Sequence, residues 1–100
     1  MASKPLFILL ALLIASGCCG SEEVATLTPD LYSSNAKERS TAAWQLARCG
    51  SKAEPAVQRL SELLYDENTG VQSAAAYALR KIDTPSARKI MSEIDARRRK

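Results

Sequence analysis

Apolar positions along this chain recur at intervals of three and four. Val71, Ala75, Ala78, Leu79 and Ile82 fall on one face of a helix, as do Val57, Leu60 and Leu64, and again Ala87, Ile90, Met91 and Ile94. No alternating pattern of a strand appears, so the spacing predicts an all-α chain. Thr28 followed by Pro29 is a helix-start signal, a side-chain cap before a residue of pre-set φ, and opens a short helix to about Ser33. A longer helix is expected from about Lys37 to Cys49, with Gly50 as its cap. Glu54 and Pro55 open the next, running to about Tyr65. Asp66 to Gly70 is a polar turn, Val71 to Ile82 a further helix, and Pro85 starts a last one toward Arg97.

The pattern repeats itself. At an offset of about thirty-three places the segment Ser40 to Cys49 lies over Ser73 to Ile82, and Val24, Leu27, Leu31, Tyr32 and Asn35 lie over Val57, Leu60, Leu64, Tyr65 and Asn68. A helical unit of this length cannot bury its apolar face alone, so units stack into a solenoid. Pro29 aligns with Glu62, inside the next unit's helix, and the first unit therefore reads as truncated.

The segment Asp66 to Ile82 resembles a HEAT repeat of the short, phycobilisome-lyase-like kind. It has the acidic turn at Asp66, then Val71, the pair Ala74 and Ala75, the step Ala78 and Leu79, and Ile82. Asp83, Thr84 and Pro85 resemble that family's link without its glycine. In the earlier unit Glu38 replaces the valine and Gln45 an alanine, while Ala42, Leu46, Cys49 and Gly50 keep the pattern. The resemblance covers about Leu27 to Ile94. It implies a HEAT-like α-α superhelix, here a mini-solenoid of about two and a half helix pairs, used for protein binding.

The first residues stand outside this pattern. Lys4 precedes an unbroken apolar run from Leu6 to Ala15, followed by Ser16, Gly17 and Cys18. A run of about ten residues before small residues reads as a secretory signal, and is short of the roughly twenty needed to span a bilayer. Ile14 to Cys18 resembles the lipobox of bacterial lipoproteins. That resemblance implies a signal peptide over 1–17, a lipidated Cys18, a polar tether over 18–27, and a repeat domain over 28–100. It places the protein in a bacterial cell envelope, held to a membrane by lipid and facing the periplasm or exterior. Ordinary cleavage near Gly17 or Gly20 is the alternative.

Charge adds one feature. The net charge of +3 becomes +2 once Lys4 leaves with the signal, and Arg97, Arg98, Arg99 and Lys100 alone carry +4. The rest of the mature chain is thus about −2, which does not describe a nucleic-acid binder. The basic end reads as a solvated helix terminus favoured by the helix dipole, or as a contact with anionic lipid near the anchor.

Catalytic chemistry finds little purchase. There is no histidine, which removes Ser-His and Cys-His arrangements and the commonest metal ligand. Cys18 and Cys19 are adjacent and Cys49 distant, unlike a metal site. Glu62, Asp66 and Glu67 read as solvated charges. No catalytic residue, metal or cofactor is expected. Cys49 takes the place of Ile82 in the next unit and reads as a small buried hydrophobe. The alternative, in an oxidising compartment, is a disulfide to Cys19, for which Cys49 must turn outward. Trp44 and Tyr77 align with each other, and Tyr77 lies about 160° from Ala75 around its helix. With Arg48, Arg80 and Lys81 they form a candidate partner-binding face; the alternative is that Trp44 covers an incomplete terminal core.

The sequence thus reads as a non-enzymatic, membrane-anchored protein-binding module, an adaptor or scaffold. Its partners are an unidentified protein, the membrane, or a second copy of itself. A small subunit or remnant related to bilin lyases, and a structural envelope lipoprotein without a specific partner, are the alternatives.

Overall fold

The computed structural model describes residues 19–99. The signal segment and the lipidation residue Cys18 lie outside the described residues. Among these residues five α-helices and two 3-10 turns follow one another: α1 (Ser21–Leu27), a 3-10 turn (Thr28–Tyr32), α2 (Ala36–Cys49), a second 3-10 turn (Gly50–Ala56), α3 (Val57–Leu63), α4 (Thr69–Ile82) and α5 (Pro85–Arg99). No strand occurs among the described residues. The architecture is an all-α mini-solenoid of two helix pairs and the first helix of a third.

The offset seen in the sequence recurs as geometry. Asn35 caps α2, its Oδ1 accepting from the Lys37 and Glu38 N–H groups, and Asn68 caps α4 by accepting from the Val71 N–H. Both helices end on positive φ, at Gly50 (59°) and Asp83 (51°). Asp83 lies in the left-handed helical region that aspartate tolerates. Gly50 pairs its φ with a ψ of −140°, a conformation open essentially to glycine alone. Val24 and Val57, Leu46 and Leu79, and Cys49 and Ile82 are buried pairs at the same offset.

Alanine sets the helix spacing. α2 and α4 pack side by side, with Ala43, Ala47, Ala74, Ala75 and Ala78 buried. Side chains this small let the axes approach, while Leu31, Leu46, Leu60, Leu63, Leu79 and Ile82 fill the space between layers. Leu79 is 0% exposed. Leu79→Ala is expected to cost roughly 2–5 kcal/mol, measured as a lowered urea midpoint. Tolerance at this position would contradict its place in the core.

Both ends of the stack are closed by polar substitutions. On α4, Val71, Ala74 and Ala78 are fully buried. One unit earlier, at the open N-terminal flank, their places are taken by the exposed Glu38, Thr41 and Gln45. At the C-terminal flank, Arg80 stands where α2 has the buried Ala47, and its guanidinium meets Asp95 of α5 at 3.6 Å. A solenoid needs such polar outer faces where no further repeat covers it.

Several expectations are corrected. Of the expected tether 18–27, the described part is not one: helix starts at Ser21, and Val24 is 3% exposed. The first unit is therefore fuller than a truncated one. Thr28 does not cap a new helix, because its hydroxyl donates back to the Val24 carbonyl at 2.7 Å. Pro29 then continues the chain as a 3-10 turn. Leu63 is buried and Leu64 half-buried. The Leu64, Tyr65 and Asp66 N–H groups bond three residues back, and this tighter winding turns the side chains away from the α-helical register.

Candidate partner-binding face

Trp44 of α2 and Tyr77 of α4 are brought into direct contact. Their ring centroids are 4.5 Å apart and their planes tilted by 50°, within the range of favourable aromatic pairs. The contact follows from the offset, since the two residues hold the same place on helices that lie side by side. Both stay open to solvent, at 44% and 40% exposure. Trp44 is thus not enclosed in a core: its ring packs on another exposed ring.

The cations around the pair divide. Lys81, one turn beyond Tyr77, places Nζ 5.5 Å from the tyrosine ring centroid, a cation–π distance. Arg48 holds the same place one turn beyond Trp44, is exposed, and makes no ion pair among the described residues. Arg80 does not join them. It sits on the flank equivalent to Ala47 and is drawn to Asp95, so it belongs to the end of the stack.

Cys19 and Cys49 are joined in a disulfide, with Cα atoms 5.1 Å apart. Cys49 does not turn outward: it is 8% exposed. Cys19 instead comes to it, packing against the core ahead of α1. The cysteine is therefore both buried and bridged.

An element the sequence concealed lies at the other end of the helices. Arg39 is 7% exposed. Its Nε and Nη2 donate to the two carboxylate oxygens of Asp66, each at 3.0 Å, and its Nη1 donates to the Ser33 carbonyl at 2.7 Å. Asp66 also accepts from the Asn68 N–H at 2.9 Å. Burial pushes the Asp66 carboxyl up, but the hydrogen bonds from Arg39 and Asn68 and the charges of Arg39 and Arg59 outweigh it, holding the group below its ordinary range. Asp66 is thus no solvated charge but a bolt between units. The signal was present in the repeat: Arg39 and Gln72 share one place, and each donates to the carbonyl six residues back, Ser33 and Asp66. Nearby, Arg59 stacks 4.2 Å over the Tyr32 ring and donates to the Leu31 carbonyl. It ties the first unit to the second.

The basic end of the chain lies far from the disulfide. The Arg97 guanidinium donates to the Tyr65 hydroxyl at 3.0 Å, on the side of Asp66. The disulfide lies at the opposite ends of α2 and α4, about 20 Å along a fourteen-residue helix. α5 thus carries Arg97, Arg98 and Arg99 to the end of the domain opposite the disulfide.

No helix among the described residues is long and apolar enough to cross a membrane. No curated protein and no solved structure matches the chain. The family model for HEAT repeats matches residues 24–98. With the paired helices, the shared caps and the polar-ended stack, this match assigns the chain to the HEAT repeat family.

Proposed function

We propose that this protein is a membrane-anchored protein-binding module, an adaptor or scaffold, held to a bacterial envelope membrane through a lipidated Cys18. HEAT repeats commonly serve as protein-interaction modules. The observation that carries the reading is the exposed Trp44–Tyr77 pair, flanked by Arg48 and Lys81, on the second helices of successive units. Large aromatics and arginine dominate binding energy at interfaces, and an unpaired cation beside them favours a partner with carboxylates at its rim. Tyr32 and Tyr65 are also exposed, but Arg59 stacks on the one and Arg97 bonds the hydroxyl of the other, whereas Trp44 and Tyr77 pack on each other.

The test uses the lipidated protein as bait for partners crosslinked in membranes. Trp44→Ala and Tyr77→Ala are each expected to weaken capture of the same partner by at least about tenfold, with far-UV helix content and melting nearly unchanged. Unfolding by either change would show that the rings support the core. Capture equal to wild type would remove the face from consideration. Cys18→Ser is expected to release the protein from membranes, and an intact mass without acyl chains would refute the anchor. A pigment co-purifying with the protein would favour the lyase-related alternative.

A further inference from the structure

The disulfide fixes where a lipid on Cys18 must emerge. Cys19 is bonded to Cys49, the last residue of α2, and Cys18 directly precedes Cys19 in the chain. A lipid on Cys18 would be tied to the C-terminal end of α2 by a short covalent path.

That point belongs to one end of the molecule. The C-terminal ends of α2 and α4 lie there, with the 3-10 turn Gly50–Ala56 and the start of α5. The Ser86 hydroxyl, donating to the Glu54 carboxylate at 2.9 to 3.0 Å, ties the last two together. The Arg39–Asp66 pair and the Arg97–Tyr65 contact mark the opposite end. Arg48, Lys52, Lys81 and Lys89 are exposed at the anchor end and make no ion pair among the described residues. Arg88 there pairs with Asp83. The acids of this end are Asp83, Glu54, and Glu22 and Glu23 in the first turn of α1.

We propose that this end of the domain lies directly on an anionic bilayer, with Arg48, Lys52, Lys81 and Lys89 at the level of the lipid phosphates. The proposal rests on the anchor reading above. Two signals, an acylated residue and a basic surface beside it, reinforce each other at a membrane. The helices then stand upright. The aromatic face rises from the surface with Arg48 and Lys81 at its lower rim, and a partner held there is held beside the bilayer. Arg97, Arg98 and Arg99, at the last turn of α5, lie at the end away from the bilayer.

Lysine accessibility tests the orientation. The lipidated full chain is placed in vesicles of phosphatidylethanolamine and phosphatidylglycerol, or in neutral detergent micelles. It is treated with a membrane-impermeant amine-acylating reagent, and each lysine is read by peptide mass. Lys52, Lys81 and Lys89 are expected to react several-fold more slowly on vesicles than in micelles, and Lys37, at the far end, equally in both. Equal rates at all four lysines, with acyl chains present on Cys18, overturn the orientation while leaving the anchor intact. So does protection of Lys37 alone. A chain without acyl mass overturns the anchor reading and this orientation with it.

Discussion

Arg39→Ala is expected to destabilise the domain by about 3–5 kcal/mol, the usual cost of leaving one partner of a buried ion pair alone. Arg39 holds both carboxylate oxygens of Asp66 and the Ser33 carbonyl. Its loss strands a carboxylate and a carbonyl in a site with little water. The loss also unties α2 from the turn that starts α4. For a domain of this size, a loss of that order lowers Tm by more than about 10 °C. The urea midpoint followed by far-UV circular dichroism measures the effect. Because the single variant can fail to fold, the double variant Arg39→Met with Asp66→Leu is the control. Removing both charges together is expected to restore much of the lost stability. A single variant within about 0.5 kcal/mol of wild type would show that the pair is not structural.

The same pair gives the domain an acid limit. The folded-state pKa of Asp66 lies below its unfolded value. Between those two values the unfolded chain binds more protons, so stability there rises with pH. The contribution of Asp66 is complete above its unfolded value, near pH 4. It is lost as pH falls through the lower folded value. Asp66→Asn removes this titration and is expected to flatten the acid side of the stability profile.

What the sequence disclosed follows from what is periodic. Leu79, Ile82, Val71 and the alanines of α4 were legible because burial on one face repeats with the helical turn. The shared face of Trp44 and Tyr77 was legible because the two recur at the unit offset, whereas their ring contact depends on how closely the alanines let α2 and α4 approach. Three features were not legible, for separate reasons. Asp66 sits in a polar turn, and nothing local distinguishes a solvated acid from one that a buried arginine twenty-seven residues away will neutralise. Arg80 lies beside Tyr77 in projection, and the carboxylate that draws it aside belongs to α5, outside the repeat. The helix Ser21–Leu27 contains only two apolar side chains of any size, Val24 and Leu27. Its order comes from the disulfide and from Val24 entering the core, neither of which a helical propensity reports.

Loss of the Cys19–Cys49 bond is the second large effect expected. The bond closes a loop with a sequence separation of 30. Loop-closure entropy alone puts its contribution at about 3–4 kcal/mol. It also pins the segment that α1 continues, so Val24 depends on it to stay buried. Reducing the wild-type protein with dithiothreitol is the cleanest measurement, because no side chain is removed from the buried Cys49 site. The reduced protein is expected to melt more than about 10 °C lower than the oxidised one, and two thiols should become alkylated at Cys19 and Cys49. Amide exchange is expected to quicken first over 21–27, while α2 and α4 keep their mutual protection. Cys19→Ser should reproduce the loss, whereas Cys49→Ser adds a polar group to the core and should exceed it. Equal melting of oxidised and reduced protein would show that the bond holds nothing the core does not already hold. On vesicles the reduced chain regains slack between lipid and domain. The contrast between Lys52 and Lys37 should then fade even though the acyl chains remain, because the orientation depends on the short covalent path that the disulfide creates.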